Sequence, residues 1–199
     1  MPSEIKNLGN VENQLNEVKV YGDLTLNGQE IKIPRRLTSS VPEHADGIIG
    51  RMNEIKSAKE KLDAGMPAVL VNGIGGIGKT TVATKFIVQH IDDYDHFAWL
   101  TVQSSVKEAF TSNSALAANL QVEKKVRKKI KNGDLDGAFE AILTRLENLK
   151  PTLIIIDNAN NPQQLEANEK RLFNTSKSLH ILITSRAYPQ SWEDQTMSV

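Results

Sequence analysis

Cysteine is absent from the 199 residues. That rules out disulfides and thiolate metal sites and suits a reducing compartment. An excess of either charge is missing too: 24 Lys and Arg balance 24 Asp and Glu, for a formal net charge of +0. No global field draws such a chain to nucleic acid or to an anionic membrane. No apolar run approaches the length that spans a bilayer. The opening Met-Pro-Ser-Glu-Ile-Lys-Asn lacks the apolar core of a signal peptide. The four histidines, His44, His90, His96 and His180, show no metal-ligand spacing. These absences lead to the expectation of a soluble, cytoplasmic protein without membrane or nucleic-acid partners. The length suffices for one domain with a core of its own.

What is present centres on residues 67–91. Ala68 to Val71 is a short apolar run that predicts a buried strand. It opens into Gly73-Ile74-Gly75-Gly76-Ile77-Gly78, followed by Lys79, Thr80 and Thr81. An amphipathic helix is predicted next, with Val82, Phe86, Ile87 and Ile91 on one face. Gly73 to Thr80 fits the pattern G-x-x-x-x-G-K-[ST] at every fixed position, in the strand-to-helix context that pattern requires. The chemistry accounts for the residue types. Backbone N–H groups can curl around a phosphate where glycine relieves the Cβ clash. A helix N-terminus favours an anion. Lys79 suits the β- and γ-phosphates, and the Thr80 hydroxyl suits Mg²⁺.

Residues 1–40 are polar, and Val18 to Ile33 shows period-2 alternation around Gly22-Asp23 and Asn27-Gly28. This segment is expected to be a short hairpin or a linker. Residues 41–199 are expected to form one nucleotide-binding domain. Within it, helices are predicted at about 52–64, 108–120 and 162–172, and strands at 96–102, 151–158 and 179–186. Val122, Val126 and Ile130 recur among Lys124, Lys125, Arg127, Lys128, Lys129 and Lys131. This stretch could touch nucleic acid, but the solvated face of an amphipathic helix is the better reading, since the rest of the chain cancels its charge. The run Leu153-Ile-Ile-Ile-Asp157 is apolar on both faces, as a parallel strand requires. Asp157 falls at its carboxyl end, where open α/β sheets bind ligands, and an acid there can hold Mg²⁺. Arg186 ends the last strand, and its guanidinium fits phosphate geometry.

Taken together, these segments resemble the nucleotide-binding domain of STAND-class signalling ATPases, the NB-ARC group of plant resistance proteins, animal apoptosome proteins and bacterial relatives. Ile48-Ile49-Gly50-Arg51 is similar to the group's opening motif, Gly73 to Thr81 to its phosphate loop, Leu153 to Asp157 to its acidic motif, and Ile181 to Arg186 to its sensor motif. The resemblance implies an α/β P-loop NTPase fold, a doubly wound, mostly parallel sheet with the sensor strand between the phosphate-loop and acidic-motif strands. It implies ATP or ADP with Mg²⁺, adenine near Ile49, Gly50 and Arg51, and a γ-phosphate contact from Arg186. It also implies self-oligomerisation of the full-length protein. A fifth strand is expected to be missing, and the winged-helix and helical modules that follow in the group are expected to lie beyond the chain, making this an N-terminal piece.

One departure bears on chemistry. The group's acidic motif has a second acid where this chain has Asn158. A neutral amide cannot take a proton from an attacking water, although it could orient one. The expected function is therefore an ATP/ADP-binding switch controlling oligomerisation of a signalling or defence protein, with slow or no hydrolysis. The competing expectation is an active AAA+-type ATPase working on nucleic acid or protein. Turnover rate separates the two.

Overall fold

The computed structural model describes residues 25–26, 29–30, 33–39, 50–194 and 196–199. Near the N-terminus, β1 (Thr25–Leu26) pairs antiparallel with β2 (Gln29–Glu30), in the register Thr25↔Glu30 and Leu26↔Gln29. The rest of the Val18–Ile33 expectation, other than Ile33 itself, lies outside the described residues.

The domain is a three-layer sandwich around a parallel sheet. Its strands are β3 (Ala68–Asn72), β4 (His96–Thr101), β5 (Thr152–Asp157), β6 (Leu179–Ser185) and β7 (Thr196–Ser198), in the order β4-β5-β6-β3-β7. Every pairing in that sheet is parallel. Alternate side chains feed two separate cores, as the pleat dictates. Ala68, Leu70, Ile154, Ile156, Ile181 and Ile183 face one core, and Val69, Val71, Leu153, Ile155 and Leu182 face the other. Helices α1 (Met52–Asp63) and α2 (Lys79–His90) cover the second face. The first is covered by α3 (Val106–Thr111), α4 (Ser114–Asn119), α5 (Glu123–Lys131), α6 (Leu135–Glu147) and α7 (Pro162–Phe173). No helix among the described residues is long and apolar enough to cross a membrane.

The sensor strand β6 lies between β3 and β5, as expected. Other expectations need correction. The fifth strand is present: Leu70, Val71 and Asn72 pair with Thr196, Met197 and Ser198, and the Val199 N–H donates to the Asn72 carbonyl at 2.9 Å. Three residues carry too little periodicity to announce a strand; the unpaired side of β3 supplies the template. The helix expected at 108–120 is two helices. Asn113 interrupts it, and its side chain caps α4 by accepting the Leu116 N–H at 2.9 Å. In α5, Val126 is buried but Ile130 is 45% exposed, so the apolar stripe is shorter than its spacing implied. Residues 35–38 flank the outer side of β4. Phe97 N–H donates to the Arg35 carbonyl and Leu37 N–H to the Phe97 carbonyl, each at 2.8 Å.

Candidate functional site

At the carboxyl end of β3 the chain turns through residues 73–78 and enters α2. Glycine is demanded at several positions here, among them Gly76 with φ +78°. A Cβ on Gly73 would stand 2.9 Å from Ile77 Cγ2 and 3.2 Å from the Val199 carbonyl oxygen. Gly78, the residue before α2, has φ +102°, where an L side chain is strained. No side chain caps α2 and its first turn holds no acid, so its leading N–H groups await an acceptor.

An open cavity of about 260 Å³ lies beside this turn. Gly75, Gly76, Gly78, Lys79 and Thr80 line one side, and Asp157, Asn158, Asn160, Thr184 and Arg186 the other. Lys79 Nζ donates to the carbonyls of Gly73 at 2.7 Å and Ile74 at 2.8 Å, so the loop bends around its own lysine. Burial pushes the Lys79 pKa below its ordinary value. The positive charge of Arg186 pushes the same way, and Asp157 opposes both. Two cations thus converge on one cavity, an arrangement that a polyanion would relieve.

Asp157 sits at the end of β5 and is 8% exposed. Its Oδ1 accepts from Thr80 Oγ1 at 3.0 Å and from Thr184 Oγ1 at 2.6 Å. A carboxylate beside a hydroxyl is a hard-oxygen donor set, which fits Mg²⁺. The uncapped helix, the glycine turn and the two cations fit the phosphates. Arg186, one residue past β6, reaches toward the loop: a Cβ on Gly75 would lie 3.6 Å from its Cζ.

Eight of the residues chosen from sequence line this cavity: Gly75, Gly76, Gly78, Lys79, Thr80, Asp157, Asn158 and Arg186. Gly73, Ile74, Ile77 and Thr81 shape the loop without lining the cavity, and Ile74 is 75% exposed. Gly50 and Arg51 do not line it either, but both are tied to its frame. Lys85 Nζ donates to the Gly50 carbonyl at 3.0 Å, and Arg51 Nη2 to the Ile77 carbonyl at 2.5 Å. Arg51 also pairs with Glu54 at 2.8 Å, and that hydrogen bond holds the Glu54 carboxyl below its ordinary pKa. Ile49 lies outside the described residues. Sequence reasoning missed Asn160 and passed over Thr184. The hydroxyls closing the Ile181–Arg186 run were the available sign of Thr184; Asn160 had none.

The chain matches the NB-ARC domain over residues 51–191. It belongs to the NB-ARC family. Among solved structures, the domain is similar to a Signal Transduction ATPase with Numerous Domains (STAND) protein with a tetratricopeptide repeat sensor, from Pyrococcus horikoshii. The two are 22% identical with a TM-score of 0.53, over 76% of this chain and 23% of that one. A Walker-type ATPase of Pyrococcus abyssi is 14% identical with a TM-score of 0.39, over 78% of this chain and 49% of that one. Comparison with curated proteins finds no match. This NB-ARC chain shares its fold with that STAND protein, of which it spans 23% of the length.

Proposed function

We propose that this NB-ARC domain binds an adenine nucleotide with Mg²⁺ and works as an ATP/ADP-dependent switch that governs oligomerisation of a larger signalling or defence protein. The observation that carries the reading is the convergence of Lys79, Arg186, Thr80 and Asp157 on one cavity at an uncapped helix N-terminus. The loop N–H groups and Lys79 hold the β- and γ-phosphates. Thr80 and Asp157 hold the metal, which when bound neutralises charge on the phosphate oxygens. Arg186 reaches the γ-phosphate from the sensor strand, so triphosphate and diphosphate make different contacts, as a switch requires. Gly50 and Arg51 border the adenine, and the absence of a guanine-reading motif supports adenine over guanine.

Hydrolysis is slow on this reading, because Asn158 offers no base. Two measurements test it. The nucleotide that copurifies with the chain should be ATP or ADP. Steady-state phosphate release should fall below about 1 per second, the low end for ordinary enzymes. Faster cycling would favour an AAA+-type motor, and a guanine nucleotide in the preparation would overturn the adenine assignment.

A further inference from the structure

Asn160 belongs to no motif, yet it joins the ends of three strands. Its Oδ1 accepts the Arg186 N–H at 2.8 Å, just past β6. Its Nδ2 donates to Asn158 Oδ1, just past β5. Asn158 Nδ2 donates in turn to the Val102 carbonyl at 3.2 Å, just past β4. The polarity of this relay is fixed at both ends. A carbonyl oxygen only accepts and a backbone N–H only donates. Asn158 must therefore turn its NH₂ to Val102 and its oxygen to Asn160, and Asn160 must turn its oxygen to Arg186. A carboxylate at either position loses a link, because it has no proton to donate.

The backbone beneath the relay is held as well. Asn158 has φ +67°, a conformation that Asn tolerates better than most residues. Its N–H donates to Thr184 Oγ1 at 3.0 Å, and the Ala159 N–H donates to the Thr184 carbonyl at 2.9 Å. Ser185 Oγ donates to the Ala159 carbonyl at 2.6 Å. Residues 158–160 are thus fastened along the end of β6, where Arg186 begins its reach over Gly75. Where that guanidinium falls depends on where its backbone is held.

We propose that Asn160 is a positioning residue for Arg186: through the relay with Asn158 it fixes the Arg186 backbone so that the guanidinium meets the terminal phosphate of a nucleoside triphosphate. Asn160 thereby sets the preference for triphosphate over diphosphate. The proposal rests on the nucleotide reading above.

The test uses the full chain with Asn160→Ala and two readouts. The first needs no nucleotide: exchange of the Arg186 amide proton, followed by NMR, should accelerate about ten-fold for the loss of one hydrogen bond. Asn160→Asp keeps an acceptor for that N–H but gives up the bond to Asn158, so its exchange should fall between that of the unsubstituted chain and that of Asn160→Ala, which separates a lost bond from poor folding. The second is the ratio of the Mg-ADP to the Mg-ATP dissociation constant, by calorimetry. It should fall about ten-fold in Asn160→Ala, as expected for one weakened charge-assisted contact to the terminal phosphate. Unchanged exchange in the Ala variant overturns the relay, and so does full protection in the Asp variant, which would show that the link to Asn158 holds nothing. Faster exchange with a ratio changed less than about two-fold overturns the positioning role. If the unsubstituted chain binds neither nucleotide, the nucleotide reading falls and the phosphate role with it, while exchange still judges the relay.

Discussion

Thr80 Oγ1 lies 3.0 Å from Asp157 Oδ1, joining two residues 77 positions apart in sequence. The glycine loop brings the hydroxyl to the start of α2, and the buried β5 carries the carboxylate to the same edge of the sheet. Thr184 Oγ1 approaches the same carboxylate oxygen to 2.6 Å and fixes its direction. Asp157→Asn should therefore remove most of the benefit of Mg²⁺. In the unsubstituted chain, ATP should bind at least about ten-fold tighter with Mg²⁺ than with EDTA; in the variant the two affinities should approach each other. Calorimetry in both buffers measures this. An undiminished Mg²⁺ enhancement would unseat Asp157.

Lys79→Ala should weaken Mg-ATP binding by about 10- to 100-fold, the loss of a charged hydrogen bond to phosphate. The fold should hold, because among the described residues Lys79 Nζ bonds to the carbonyls of Gly73 and Ile74, both within its own loop. Titration of both proteins with Mg-ATP, beside their melting curves, checks the two halves of this expectation. Unchanged affinity would remove the loop from phosphate binding.

The site was legible where spacing alone implies chemistry. Gly73 to Thr80 spells out its geometry in consecutive residues, and Asp157 and Arg186 each close an apolar run that has to be a buried strand. Asn160 was not legible, because its role depends on the end of β6 standing beside it, and only the sheet order brings Arg186 there. The same limit explains β7. Thr196, Met197 and Ser198 form a strand because β3 offers an open edge, not because of their own pattern. Asn113 was readable in principle as a helix cap, but the apolar spacing across it pointed to one continuous helix.

Deleting residues 196–199 should uncover β3. That would expose its N–H and C=O groups together with the face now covered by Met197, which is 7% exposed. The shortened chain should melt several degrees lower, since about 1 kcal/mol corresponds to roughly 2–4 °C in a chain of this size. It should also self-associate, which light scattering would show. A milder version, Met197→Ala, should lower stability by about 2 kcal/mol or more, as for other buried methionines, without opening the edge. Equal melting temperatures and no association in the shortened chain would mean that β7 contributes nothing to the sheet.

At the opposite end of the sheet, Tyr94 and His180 form a pair that should give stability a pH dependence. Tyr94 is 4% exposed, and its hydroxyl lies 2.9 Å from His180 Nδ1, a hydrogen bond in which the tyrosine hydroxyl donates when that ring nitrogen carries no proton. Burial pushes the His180 pKa below its ordinary value. Asp63 pulls it back, and Lys59 pushes it down further. The unfolded chain then takes up a proton near pH 6.5, while the folded chain holds off until a lower pH. Between those two values the unfolded state binds more protons. The stabilisation by neutral His180 is therefore complete above about pH 6.5 and declines as pH falls below it. Tyr94 acts at the other extreme. Burial raises its pKa, so its contribution holds below about pH 10 and is lost above that. Other groups add to the acid response of any folded chain, so His180 has to be isolated by comparison. His180→Gln keeps an acceptor for the Tyr94 hydroxyl but cannot be protonated. The fall in melting temperature between pH 7.5 and pH 5.5 should be smaller in His180→Gln than in the unsubstituted chain. Equal falls would show that the acid response lies elsewhere in the chain.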